Sequence, residues 1–137
     1  MIPITLYKLE TGKITETAAL VNSGAAICCI NLYLAQRMKW LLIKIPRPMY
    51  AWNADRTNNT GGIIQYKANL SLQINPQDIV QDFCVLDLGG KNNVILGYPW
   101  LTRHKPRIDW KEGTLYLTGT PVPRYDKLEV VEQRYLL

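Results

Sequence analysis

The residues of this chain best placed to do chemistry are consecutive. Asn22, Ser23 and Gly24 interrupt a run that is otherwise apolar from Ala18 to Ile30, A-A-L-V-N-S-G-A-A-I-C-C-I. Short apolar stretches on both sides of a polar turn predict two buried strands that hold a carboxamide, a hydroxyl and an unhindered backbone at the bottom of a cleft. The tripeptide also fits an ordinary turn in a hydrophobic core, since Asn can bond its own backbone two residues on and Gly accepts positive φ. Other candidates are weaker. Lone His104 lies among Arg103, Lys105 and Arg107 with no Ser or Cys nucleophile motif to serve, and reads as a solvated histidine. Cys28, Cys29 and Cys84 lack metal-ligand spacing, and neighbours on a strand face opposite sides. They read as reduced core thiols, and neither a metal nor a cofactor is expected.

The run around Asn22 resembles the active-site loop of aspartic proteases, two apolar residues followed by Asp, Ser or Thr, Gly and Ala. Leu20, Val21, Ser23, Gly24 and Ala25 match it, and Asn22 stands where that family has its catalytic aspartate. A second run, V-I-L-G-Y-P-W-L at 94–101, resembles the family's apolar-apolar-Gly strand, with Ile95, Leu96 and Gly97 in the matching places. In that family the strand crosses close behind the catalytic loop. Pro106, Ile108, Asp109 and Trp110 narrow the resemblance to the retropepsin-like proteases of gypsy-type long-terminal-repeat retrotransposons, over about residues 14–118.

The elements that must position these residues are legible as strands. Ile2 to Leu6 and Ile14 to Val21 form a predicted hairpin about Thr11-Gly12-Lys13, the second arm turning wholly apolar as it meets the loop. Asn31 is placed to cap a short helix through about Lys39, after which Pro46 and Pro48 hold an extended connection. Met49–Trp52 and Ile63–Leu72 flank a polar tip with two glycines, and Ile64, Tyr66, Ala68, Leu70 and Leu72 alternate with polar residues on the second arm. Such a tip is expected to move. The resemblance implies that this hairpin is a flap over the substrate, with Trp52, Asn53, Ala54, Asp55 and Arg56 near its tip and Ala25 on the floor. Ile79–Leu88 is a further strand, Pro99 opens a short helix, and Lys111-Glu112-Gly113 turns a last hairpin.

At 137 residues and 47% hydrophobic, with 9 Gly and 8 Pro, the sequence makes one turn-rich domain. The fold class expected is all-β with one or two short helices, and the resemblance makes it a retropepsin-like barrel with a flap hairpin. The protease domain is expected over 1–120. Residues 121–137 read as a tail or linker with a short helix from Asp126, leading toward the next domain of a polyprotein. No apolar run reaches the length of a membrane span and no signal peptide is evident, so a cytoplasmic location is expected, including within virus-like particles. The net charge of +5 is uneven. Residues 36–54 carry Arg37, Lys39, Lys44 and Arg47 with no acid, and 103–111 carry Arg103, Lys105, Arg107 and Lys111 against Asp109. No recognition motif accompanies either patch, so solvated basic faces are expected rather than nucleic-acid binding.

The family's chemistry needs two carboxylates about 3 Å apart that share a proton. This chain has one such loop, so the resemblance implies a symmetric homodimer with residue 22 of each copy at the two-fold axis and Ser23 bracing the two loops. An extended peptide from a Gag-Pol polyprotein would lie between floor and flaps as an added strand. An amide neither accepts a proton near neutral pH nor carries charge, so the chain as written is expected not to cleave peptides. Asn22 reflects either a substitution introduced at this position or natural divergence. The alternative to a silenced endopeptidase is a non-catalytic domain of the same fold that binds peptides or mediates dimerisation.

Overall fold

The computed structural model describes residues 1–8, 13–52, 58–74, 77–89, 92–109, 111–117, 120–122 and 130–131. For 51–52, 58–62, 120 and 130–131 it describes the backbone alone. The elements are β1 (Ile2–Lys8), β2 (Lys13–Asn22), β3 (Cys29–Asn31), α1 (Leu32–Met38), β4 (Ile43–Trp52), β5 (Asn58–Ile74) and β6 (Gln77–Asp87), then β7 (Val94–Leu96), α2 (Tyr98–His104), β8 (Arg107–Asp109), β9 (Thr114–Leu117), β10 (Thr120–Pro121) and β11 (Val130–Val131).

Six strands close into a barrel in the order β1-β2-β7-β3-β6-β5, the ring being completed where β1 pairs β5 through Leu6 and Leu72. Closure removes the free edges that would otherwise template aggregation. β4 lies outside the ring on β5, and β8, β9 and β10 make a separate antiparallel sheet. The alternation on β5 does what the sequence suggests, since Ile64, Ala68, Leu70, Leu72 and Ile74 are buried. Tyr66 departs from the pattern at 36% exposure. Its neighbourhood carries the register shift between Gly61 and Tyr66 against β6, and such an irregularity turns a side chain off its face.

Two apolar clusters result. The larger fills the barrel with Ile2, Leu6, Val21, Ile30, Phe83, Leu96 and Trp100 among others. The smaller joins Leu20, Ala25, Cys29, Ile64, Leu86 and Ile95. Adjacent Cys28 and Cys29 go to different clusters, Cys28 just before β3 and Cys29 at its first position. All three cysteines are free thiols, and burial pushes each above its ordinary pKa, so they stay protonated near neutral pH.

Three local readings are corrected by the structure. Pro46 and Pro48 fall inside β4 rather than in a connection before it. They are tolerated because β4 is an edge strand, where a missing N–H leaves no ladder bond broken, and the register slips between Lys44 and Met49. Asn31 stands at the N-cap of α1, but its side chain makes no cap bond; Oδ1 accepts from the Leu88 amide at 3.3 Å instead. Asn31 is 5% exposed and its own amide donates to the Asn93 carbonyl at 2.8 Å. Asn31→Ala would strand the Leu88 N–H, and a loss of about 1–2 kcal/mol is expected by urea denaturation; an unchanged midpoint would mean that this amide has another partner. Gly24, lastly, is not among the glycines with positive φ, which in the described residues are Gly89 and Gly113.

The predicted turn at Thr11-Gly12 and the helix start at Asp126 lie outside the described residues. Beyond residue 120 the described part is extended. β10 pairs β9, Val122 is buried in the larger cluster, and β11 pairs β2 in parallel.

Candidate functional site

β2 ends on Asn22, and the turn that follows is built by the asparagine itself. The Ala25 amide donates to the Asn22 carbonyl at 3.2 Å, and the Gly24 amide donates to Asn22 Oδ1 at 2.9 Å. This is the side-chain-to-backbone turn that Asn and Asp favour. A carboxylate oxygen would accept the Gly24 bond equally well. Asn22 is 0% exposed, and its Nδ2 is buried with no hydrogen-bond partner. Ser23 is exposed and Gly24 is half-buried.

The loop is held from behind by β7. This strand runs parallel to β2, with Leu20 opposite Ile95 and Val21 opposite Leu96, and antiparallel to β3 on its other side, with Cys29 opposite Ile95. The two arms of the loop are therefore not direct neighbours; a strand from late in the chain is threaded between them. Val94, Ile95 and Leu96 are all buried, as a central strand covered on both faces must be.

Gly97 makes the crossing possible. A Cβ there would lie 2.3 Å from the Ile27 carbonyl oxygen and 2.7 Å from that of Ala25, both backbone atoms. Its φ of −93° is one that any residue adopts, so the glycine is required for space and not for conformation. The next residue completes the contact, the Tyr98 amide donating to the Ala25 carbonyl at 2.8 Å. Pro99 lies in the first turn of α2, which follows at once.

The smaller cluster forms an apolar wall beside the loop, with Ile27, Ile45, Cys84 and Leu88 packed on it. Ile64 on β5 and Ile45 on β4 bring the β4–β5 hairpin to this wall, and Met49 pairs with Ile64. Trp52 closes β4 and pairs with Asn58. Asn53, Ala54, Asp55 and Arg56 lie outside the described residues. The structure thus brings Asn22, Ser23, Gly24, Ala25, Ile95, Leu96 and Gly97 together and carries the hairpin to the same side.

Sequence reasoning missed three groups of contributors. Asn31 and Asn93 tie β3 to the strands around it, Asn93 also donating from Nδ2 to Thr17 Oγ1 at 3.1 Å. The only sequence signal for Asn93 is its place in an Asn92-Asn93 pair, a turn-forming type. Cys29, Ile64 and Leu86 in the apolar wall were visible only as strand residues. Val130 and Val131 gave no signal beyond their type, yet they pair with Val21 and Asn22.

His104 is not the fully solvated residue its basic neighbours suggest. Its Nε2 is buried without a partner beside a cavity of about 50 Å³ lined also by Ile74, Gln77, Ile79, Trp100 and Leu117. Burial, and secondarily the Arg103 charge, lowers its pKa from the ordinary 6.5. A base with a depressed folded pKa gives stability that is fully present above its unfolded value and is lost as pH falls through the folded one. His104→Gln is therefore expected to flatten the acid side of the stability–pH curve below about pH 6.5; an identical curve would show that His104 titrates alike in both states. Among the described residues no group of His, Cys, Asp and Glu is placed to hold a metal ion.

The barrel with β7 threaded between the two loop arms is the fold of a retroviral protease-like domain. The crystal structure of the retroviral protease-like domain of Ddi1 from Leishmania major superposes with a TM-score of 0.64 at 20% identity, covering 95% of this chain and 96% of that one. The PEG10/RTL1 protease domain family matches residues 18–121, and the chain belongs to that family, which is retropepsin-like and retrotransposon-derived. No curated protein sequence matches the chain.

Proposed function

We propose that this domain is an aspartic endopeptidase of the gypsy Gag-Pol type, working as a homodimer on extended peptide, and that Asn22 in the catalytic position leaves it without hydrolytic activity. The observation that carries this reading is the state of Asn22 at the end of β2. Its Oδ1 is pinned by the Gly24 amide while Nδ2 is buried without a partner. Once residue 22 is uncovered, a second copy related by a two-fold axis would bring an acceptor to that nitrogen, and an exchange of this kind is self-complementary.

The roles follow from position. An aspartate at residue 22 would activate water and protonate the carbonyl oxygen as one of a pair, work that Asn22 cannot do, while Ser23 would brace the loops across the axis and the Gly24–Ala25 backbone would form the floor. Trp52 to Arg56 would close over the peptide, whose side chains would meet the apolar wall of Leu20, Ile64, Leu86 and Ile95. The protease unit would span 1–120 with 121–137 connecting onward, and the natural setting would be the cytoplasm, including virus-like particles. No helix among the described residues is long and apolar enough to cross a membrane.

The carboxamide at residue 22 also supports a second reading, a non-catalytic peptide-binding module that uses the same cleft. The two separate on one experiment, cleavage of a Gag-Pol-derived polypeptide by the chain and by its Asn22→Asp form. Activity in the Asp form alone establishes the first; two folded, inactive dimers establish the second. Sedimentation that shows only monomer well above micromolar concentration would count against the shared site.

A further inference from the structure

The backbone of β2 has two edges near Asn22. β7 occupies one, along Ala19 to Val21. β1 occupies the other only as far as Ile2 opposite Ala19, so beyond that point this edge of β2 would carry unmet backbone groups from one of Val21 and Asn22, successive residues aiming theirs at opposite edges. β11 fills that gap, with Val130 opposite Val21 and Val131 opposite Asn22, in parallel. Asn22 is 0% exposed although Ser23, the next residue, is exposed. Its Nδ2 nonetheless finds no acceptor there, so the closed arrangement leaves one polar group unsatisfied.

We infer that the Val21–Asn22 edge of β2 is a strand-docking surface, that the chain's own segment at Val130–Val131 occupies it in cis, and that this docking closes the site until a second copy and a peptide displace it. The inference rests on the proposed reading of Asn22 as the two-fold residue, for a side chain fully buried within one chain cannot meet its counterpart in another. The docked segment is suited to leave. Its ladder is two residues long, and parallel pairing is slightly less stable per residue than antiparallel. Leaving would free Nδ2 to find a partner across the axis.

The test uses the full chain with Val130→Pro and Val131→Pro together, which leaves the segment no amide to give the ladder and spares the barrel strands. Hydrogen exchange at whichever of the Val21 and Asn22 amides faces β11 is expected to speed up about tenfold or more in this form, while β5 and β6 amides stay protected. In the Asn22→Asp background, the same pair of prolines should raise peptide cleavage several-fold, and a synthetic peptide of residues 123–137 added in trans should lower it again. Unchanged exchange at Val21 and Asn22 would overturn the docking. Faster exchange with slower cleavage would overturn the closing role, the segment then being a brace. Faster exchange with no cleavage in any Asn22→Asp form would leave the docking standing and sink the protease reading instead.

Discussion

The chain with Asn22 is expected to show no peptidase activity, and its Asn22→Asp form is expected to cleave. General acid–base groups are typically worth about 10²- to 10⁴-fold each way they are used, and in the two-fold site one substitution restores both members of the pair. The gain should therefore lie at or above the upper end of that range. The geometry favours an isosteric exchange, since the Gly24 amide that donates to Oδ1 at 2.9 Å can donate to a carboxylate oxygen unchanged. Two like charges cannot both persist a few ångströms apart, so the pair should hold one proton and the rate should peak at mildly acid pH, with limbs belonging to the pair and not to either residue. Initial rates on a Gag-Pol-derived polypeptide from about pH 4 to 8, with and without a pepstatin-type inhibitor, read this directly. A folded, dimeric Asn22→Asp protein with no inhibitor-sensitive cleavage anywhere in that range would refute the endopeptidase reading.

The same exchange should cost stability in the isolated chain. Residue 22 is wholly buried, and a lone carboxyl without a second copy nearby would be driven toward its neutral form by desolvation. The Asp form should consequently be less stable at neutral than at acid pH when dilute, and regain stability on dimerisation.

Gly97→Ala is expected to be severely damaging for the addition of a single methyl. Its Cβ would lie 2.3 Å and 2.7 Å from two carbonyl oxygens and 3.0 Å from the Ile27 carbonyl carbon, and none of these can swing away as a side-chain tip would. Either the loop lifts, breaking the 2.8 Å bond from the Tyr98 amide to the Ala25 carbonyl, or β7 slides out of its place between β2 and β3. Overpacking ordinarily costs about 1–3 kcal/mol, and a clash with fixed backbone should reach about 3 or more of the 5–15 kcal/mol that hold a domain together. Gly89→Ala is the control. That glycine has φ of +72° but nothing within 4 Å of a new Cβ, so only the left-handed backbone penalty of about 1–2 kcal/mol applies. Urea denaturation of the two variants should order them clearly. If Gly97→Ala proved the milder, the close approach of loop and strand would not be what the glycine serves. In the Asn22→Asp background Gly97→Ala should also lose most cleavage, because the loop that carries residue 22 rests on this contact.

Much of the fold was legible because its signals are local. The alternation on β5, the apolar arms around Asn22-Ser23-Gly24, the Pro that opens α2 and the turn at Gly113 each depend on residues within one element or one turn. The helix after Asn31 falls where expected although Asn31 does not cap it, since the helical spacing of Leu34 and Ala35 to Met38 sets the element while the asparagine side chain turns to Leu88. Prolines misled for a related reason. Pro46 and Pro48 argue against a central strand, but a sequence does not say which strand will be an edge.

The sequence by itself determined that a polar turn would sit between buried strands, that an amide and not a carboxylate would stand at its centre, and that a small residue would follow an apolar strand later in the chain. Those are properties of side-chain type and local period. Only the tertiary structure decided that β7 lies between β2 and β3, that Gly97 touches the carbonyls of Ala25 and Ile27, that Asn22 is sealed from solvent, and that β11 completes the edge beside it. Each of these depends on which strands meet, and strand partners are chosen by barrel closure and by the need to satisfy every buried backbone group, neither of which is written in any one stretch of the chain.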